Sequence, residues 1–328
     1  MTMKELAEYA GVSVSAISRY LNGGSLSQDK RDLIRKAMEE TGYQPDTVAQ
    51  MLRNKVTDHI GLIIPKLDSD AVTRMTRGAT QVLSQAGYLG LLADTGNDPD
   101  SEIAYLKLFQ NRSVAGIIFM ATVFTPQHEE LLRNSDVPIV VVGQQFRGVP
   151  CVFHNDHDAA YDLTRLVLAK GRRHMAFIGV SEKDVAVGVN RRRGVEDAMR
   201  DCGLDPASLI VGITEFTVDG GRDTMEILLA EHPEIDGLLC VTDRIAFGAM
   251  EVLRQHGKSV PGDVSVVGMD DNWAAEHIEP HLTSSHFYYK TSGEVAAEHL
   301  LSLIKNKNVG GPVQQTMIGY SIVERDSV

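Results

Sequence analysis

An arginine on a short polar helical face is suited to reading the edges of base pairs, and residues 14–22 carry one. In Val14-Ser15-Ala16-Ile17-Ser18-Arg19-Tyr20-Leu21-Asn22, the positions Val14, Ile17 and Leu21 mark a stripe to be buried. Ser15, Ala16, Ser18 and Arg19 then project from the free face. Arg19 is the one basic residue of that segment, and arginine is the commonest direct reader of guanine in the major groove. A neighbouring helix must hold this face out. Thr2 and Glu5 have capping-box spacing, so a helix starts at residue 3. Leu6, Ala7 and Ala10 give it one apolar side. Gly11 supplies the tight turn, and Ser13 can cap the second helix. The arrangement is a helix-turn-helix, and its natural partner is duplex DNA.

The acidic balance of the whole chain looks wrong for such a partner until it is divided. Net charge is −12 over 328 residues. Residues 1–58 hold eight Lys/Arg and eight Asp/Glu, so the whole acidic excess lies in residues 59–328. Local placement of charge governs phosphate contact more than the total does. A neutral headpiece implies modest non-specific affinity, and two headpieces on a homodimer would combine their contacts. The length allows two or three domains and a large core. No run of 18 apolar residues exists, so no membrane span is expected, and no export signal is read at the N-terminus. Cys151, Cys202 and Cys240 are scattered without metal or redox spacing. A cytoplasmic protein is expected. No phosphate loop, nucleophile elbow or metal motif is found, so neither an enzyme nor a cofactor is expected.

A third helix fits Gln28 to Glu40, with Ser27 as cap and Leu33, Ile34, Ala37 and Met38 facing inward. Pro45 interrupts the chain. Thr47–Asn54 is too short to be stable as a free helix. From residue 59, apolar runs alternate with amphipathic stretches. Strands are expected at 60–65, 88–93, 116–120, 138–143, 175–180, 209–213, 237–241, 264–268 and 284–288. Helices are expected between them, as at 72–86, 159–170, 194–202, 220–231 and 246–256. Such alternation predicts an α/β core of parallel sheets, and so many units fit two sub-domains better than one sheet.

The opening resembles the lactose-repressor (LacI/GalR) family of bacterial transcription factors. The resemblance lies in Leu6-Ala7-Glu8-Tyr9-Ala10-Gly11-Val12-Ser13, Ile17-Ser18-Arg19 and Leu21-Asn22. It continues through Gly42-Tyr43-Gln44-Pro45 and Val48-Ala49-Gln50-Met51-Leu52. Further matches are Gly143-Gln144, Lys170-Gly171-Arg172-Arg173-His174, Thr242-Asp243, Val260-Pro261-x-Asp263 and Gly268-x-Asp270-Asp271. It implies a headpiece at 1–45, a hinge helix and linker at 46–58, and a periplasmic-binding-protein-like core at 59–328. The core would divide into an N-sub-domain (about 59–157 and 289–319) and a C-sub-domain (about 158–288 and 320–328). The DNA-binding set becomes Thr2, Val14, Ser15, Ala16, Ser18, Arg19 and Asn22, with Val48, Ala49 and the minor-groove wedge Leu52 from the hinge.

The resemblance also implies a sugar effector in the cleft between the sub-domains. Asp270 follows a strand, and one carboxylate can accept from two neighbouring hydroxyls. Arg191, three residues before Gly194, has the spacing of the family's ligand arginine, and its guanidinium fork suits hydroxyls or a phosphate. His154, Tyr289 and Phe216 align with aromatic contacts, or pack between the sub-domains. Trp273 is read equally as pocket wall or as core. Thr242 and Arg244 are further candidates, with Asp243 orienting its neighbours. Within the family the pattern is most similar to trehalose and sucrose repressors. Lys66 and Arg191 keep positive charge at two matching places, whereas Gln144 is neutral at a third. The function implied is repression of a carbohydrate-utilisation operon at a pseudo-palindromic operator, relieved by a disaccharide such as trehalose or sucrose, free or phosphorylated. The alternatives are an activator or co-repressed regulator, and a sugar-binding protein without a role on DNA.

Overall fold

Caps and apolar spacing account for the first part of the chain. The computed structural model describes residues 1–21, 24–43, 58–111, 114–306 and 312–328. These fall into two units, Met1–Thr57 and Asp58–Val328. In the first, helix α1 is Met3–Tyr9, α2 is Val14–Leu21 and α3 is Gln28–Thr41. The capping box forms: the Glu5 amide donates to Thr2 Oγ1 at 3.3 Å and the Thr2 amide to Glu5 Oε2 at 2.8 Å. Gly11 takes φ +63°, where a side chain would be strained, and so closes the turn into α2. The amide of Ala16 donates to Ser13 Oγ at 3.2 Å. Leu6, Ile17 and Ile34 are fully buried, one from each helix, and each such burial stabilises by about 1.5–3 kcal/mol.

Two expectations for this unit need correction. The buried seam of α2 runs through Ala16 and Ile17, and Val14 is 37% exposed. Positions 16 and 17 recur one turn later at the partly buried Tyr20 and Leu21, which leaves 14, 15, 18 and 19 for the other side. In α3, Ile34 and Ala37 are buried, Leu33 is exposed, and Ser27 occupies the cap position without a side-chain hydrogen bond. Asn22 and the expected hinge, including Val48, Ala49 and Leu52, lie outside the described residues.

The second unit contains two six-stranded sheets. The first begins with β1 (His59–Ile64), β2 (Leu89–Asp94), β3 (Gly116–Met120), β4 (Ile139–Val142) and β5 (Cys151–His154). The second comprises β6 (Met175–Gly179), β7 (Ile210–Ile213), β8 (Gly237–Cys240), β9 (Ser265–Met269) and β10 (Thr283–Phe287). The chain then returns to the first sheet as β11 (Gln315–Ile318) and to the second as β12 (Tyr320–Val323). Strand orders are β11-β5-β4-β3-β1-β2 and β12-β10-β9-β8-β6-β7. Pairing is parallel throughout except for β12, which runs antiparallel to β10. The central strands are apolar on both faces (β1, β3, β4, β6 and β8), as sheets covered by helices on both sides require. The fold is therefore a helical headpiece with a two-sheet α/β core.

Each expected strand is present within about a residue, but β5, β11 and β12 are not foreseen. Each is short and includes a polar residue (His154; Gln315 and Thr316; Ser321), so none shows the continuous apolar run of the equally short β4 and β8. The helices expected at 72, 159, 194, 220 and 246 begin at Asp70, Asp156, Arg191, Val218 and Asp243, two or three residues earlier. Their first turns are polar, so apolar periodicity starts only after them.

Candidate functional site

Where the strands of the two sheets end, the loops that follow them enclose a cavity of about 150 Å³. This is the usual site of ligand entry in open α/β sheets. Residues after each of β1 to β10 reach it. Lys66, Gln144, His154, Arg191, Phe216, Thr242, Arg244, Asp270 and Tyr289 line it together. Trp273 does not. It is neither cavity wall nor core, because Asn272 caps a single turn, Trp273–Glu276, that leaves the indole 70% exposed in a groove at the cavity mouth.

Arg191 is the hub. It is 3% exposed, with Nε donating to Asp156 Oδ1 at 2.7 Å and Nη1 to the Val241 carbonyl. Asp270 Oδ1 lies 4.0 Å from Nη1, and the Phe287 ring lies 4.9 Å from the guanidinium carbon. Burial works against the guanidinium charge, but the negative charge of Asp156, with Tyr289 and Asp270, outweighs it and holds the pKa above the ordinary value. Burial pushes Asp156 up to about 6, against the pull of Arg191. Burial lowers His154 to about 3, with help from Arg191, so its ring is neutral at pH 7. His154 Nε2 sits 2.7 Å from Ser292 Oγ.

Asp270 is presented by a strained turn. It has φ +123° and Asp271 has φ +49°, conformations that cost about 1–3 kcal/mol each unless the surroundings impose them. The surroundings do so. The amides of Asp270, Asp271 and Asn272 donate to the Ser285 carbonyl (2.9 Å), Ser284 Oγ (3.1 Å) and Asp243 Oδ2 (2.6 Å). Arg325 Nη2 and His286 Nδ1 clamp the Asp271 carboxylate at 2.6 and 2.8 Å. Asp243, fully buried, also accepts from Ser284 Oγ at 2.6 Å, so it orients its neighbours and is not itself a cavity residue. The Asp270 carboxylate is left facing the cavity, where Tyr289 Oη donates to it at 2.5 Å. Burial raises its pKa, opposed by Arg191.

Polar bridges cross the cleft. Gln144, after β4, donates through Nε2 to Asp184 Oδ1 at 2.6 Å and accepts from the Ala186 amide at 3.2 Å. Arg74 is ion-paired to Asp70 and donates to the carbonyls of Asp270 and Asp271 at 3.2 and 2.9 Å. Sequence reasoning missed Asp70, Asp156 and Asp184 as cavity residues. Asp70 and Asp156 stand in polar first turns of helices, a position that reads as capping. The aromatic candidates have definite neighbours. Lys66 Nζ lies 5.5 Å from the centre of the Phe216 ring, and Tyr289 packs edge-on to His154. Among the described residues, no group of His, Cys, Asp or Glu has the geometry of a metal site, and no helix is long and apolar enough to cross a membrane.

On the headpiece, Thr2, Val14, Ser15 and Arg19 are exposed and Ser18 is half-buried. Ala16 is 4% exposed and packs among Leu6, Ile17 and Ile34, which removes it from the face expected to read bases.

Residues 2–46 match the lacI family of bacterial regulatory proteins, and residues 164–328 match a periplasmic binding protein-like domain. The sucrose operon repressor of Staphylococcus xylosus is 33% identical over 304 residues, covering 92% of this chain and 93% of that protein. The solved complex of the transcriptional regulator CelR with cellobiose is 26% identical, covers both chains fully and has a TM-score of 0.76. The lac repressor dimer bound to operator and the anti-inducer ONPF shares the fold, with a TM-score of 0.88 at 22% identity over all of this chain and 98% of that one. With a helix-turn-helix at its start and a binding-protein-like core behind it, the chain belongs to the lacI family of bacterial regulatory proteins.

Proposed function

We propose that the protein represses a carbohydrate-utilisation operon and leaves its operator when an uncharged disaccharide, such as sucrose or trehalose, fills the cleft. The observation that carries this is the set of buried Arg191, Asp156 and Tyr289 with half-buried Asp270 at the strand ends of a core joined to a helix-turn-helix. Asp270 is placed to accept from two adjacent ring hydroxyls, and Arg191 to hold it in that position. The likeness to a sucrose operon repressor points the same way.

The cavity charge argues for a free sugar over a phosphorylated one. Asp70, Asp156, Asp184 and Asp270 face Lys66, Arg191 and Arg244 in the lining. Arg191 is already committed to Asp156 and Val241, and Gln144 to Asp184 and Ala186. A phosphate dianion would meet an acidic lining with little unspent cationic charge. Asp270 is the principal sugar contact in this proposal, held in place by Arg191, with His154, Phe216, Thr242 and Tyr289 shaping the wall. On DNA, Arg19 reads the major groove, with Val14, Ser15 and Ser18 beside it.

A cytoplasmic homodimer on a pseudo-palindrome completes the proposal. Leu89, Leu91 and Leu92 on the edge strand β2, and Ile213 and Ile227 on and beside the edge strand β7, are exposed apolar residues suited to a second copy. A thermal-shift screen of free and phosphorylated mono- and disaccharides tests the effector, because a ligand of the native state raises its melting temperature. A free disaccharide is expected to give the largest rise. Stabilisation by phosphorylated sugars alone would refute the proposed effector class.

A further inference from the structure

The cavity opens at its mouth into a second groove, and an aromatic side chain stands in the wall of that groove. Ser69, Asp70, Arg244 and Asn272 line both the cavity and a groove immediately outside it, so the two spaces are continuous. Leu67 and Asp68 form one bank of the groove, from the β1 side. Trp273 and Phe247 stand with Arg244 on the other, from the β8 and β9 side.

Trp273 is the single tryptophan of the chain and is 70% exposed. Its ring lies tilted against His277, at 5.8 Å between centroids. A large apolar surface left in water at the entrance of a polar cavity suits the C–H face of a sugar ring, with an amphipathic edge remaining wet. Arg244 and Asp68 pair across the groove at 3.6 Å while staying largely exposed, with 41% and 70% of their side chains in solvent. Such a pair is weak and can exchange its partner for ring hydroxyls.

We infer that the effector site has two compartments: the inner cavity takes one hexose, and the groove walled on one side by Trp273 takes the second ring of the same uncharged disaccharide. This rests on the sugar-effector reading above. It makes Trp273 a length-selecting contact, one that a monosaccharide would not engage. Because the groove has a bank from each sheet, a second ring there would touch both sub-domains at once.

Trp273 is its own reporter. The full-length protein would be titrated with sucrose, trehalose, maltose and cellobiose, and with glucose and fructose, by calorimetry and by tryptophan emission. For the disaccharide that binds, we expect a changed emission. We expect Trp273→Ala to weaken that sugar at least tenfold while leaving the affinity for its component hexose within twofold. Asp270→Ala should abolish both. If Trp273→Ala binds the disaccharide as wild type does and the emission does not move, the outer compartment is refuted and the inner site stands. If Trp273→Ala weakens the hexose equally, Trp273 belongs to the inner site and the two-compartment division is wrong. If none of the four disaccharides binds the wild-type protein, the disaccharide reading and this inference fall together.

Discussion

The headpiece and the cleft are built from contacts of opposite range, and they tolerate damage differently as a result. In residues 1–43 most of the ordering contacts named above are local: Thr2 with Glu5 and Ser13 with Ala16. Arg19, the side chain proposed to read bases, is exposed. In the cleft, Arg74 meets Asp270 across 196 residues of chain, Arg191 meets Val241 across 50, and Gln144 meets Asp184 across 40. Those polar groups are largely buried, where an unpaired charge is costly. The headpiece can lose its working residue and keep its fold, whereas the cleft cannot lose its hub without consequences for the core.

Arg191→Ala is expected to have the largest effect. It leaves Asp156 buried without its cation, and breaking a buried pair in this way costs about 3–5 kcal/mol. Urea unfolding of the full chain should show the core transition moved to lower denaturant and sugar binding lost. A core as stable as wild type would mean that the hub is not structural and would dissolve the contrast.

Arg19→Ala comes next. Losing one good base contact costs about 1–3 kcal/mol, so operator-specific affinity should fall roughly tenfold to a hundredfold. The core transition and sugar affinity should be unchanged. A gel-shift titration with unaltered specific affinity would show that another residue reads the operator.

Acid sharpens the contrast inside the core. His154 titrates at about 3 when folded against an ordinary 6.5, so its contribution to stability is full above pH 6.5 and is lost as pH falls toward 3. Asp156 titrates at about 6 against an ordinary 3.8, so the penalty on its charged form is full above pH 6 and is relieved as pH falls toward 3.8. Between pH 4 and 6 the two oppose each other. Asp156→Asn removes the relief, and stability should then drop more steeply on acidification, by about 1.4 kcal/mol per pH unit for a fully uncompensated proton. Parallel profiles of denaturation midpoint against pH for variant and wild type would contradict this.

The smallest effect belongs to the cleft mouth. Arg244 and Asp68 form an exposed pair, so Asp68→Asn should change core stability by less than about 1 kcal/mol. A loss of several kcal/mol, read in the same urea experiment, would mean that the mouth is as tightly coupled as the hub.

The same contrast explains what was legible in the sequence. Capping residues and apolar spacing place α1, α2 and nine of the twelve described core strands, because each signal is contained in a few consecutive residues. The errors in the headpiece are of phase. Val14 and Ala16 exchange sides because two apolar side chains near the end of a helix do not fix its rotation. In the cleft, Asp270 and Arg191 were found through family resemblance, and the strained turn behind Asp270 carries no sequence signal of its own. Asp70 and Asp156 were missed because each stands in the polar first turn of a helix, before the apolar period begins. Trp273 shows the remaining gap, since no local pattern distinguishes an indole in a core from one at a cavity mouth.

The central claim is that one cleft, organised by Asp270 and Arg191, controls the hold of the headpieces on DNA. Coupling of this kind requires the sugar to favour one conformation over another, and it must be reciprocal. The most direct measurement is operator affinity of the full-length protein, by fluorescence anisotropy at fixed salt, with and without the disaccharide found in the thermal screen, for wild type and Asp270→Ala. The account predicts that the sugar weakens wild-type binding, while Asp270→Ala binds the operator equally well with and without it. A sugar that releases Asp270→Ala as fully as wild type would contradict the account, and one that tightens wild-type binding would make the protein a co-repressed or activating regulator.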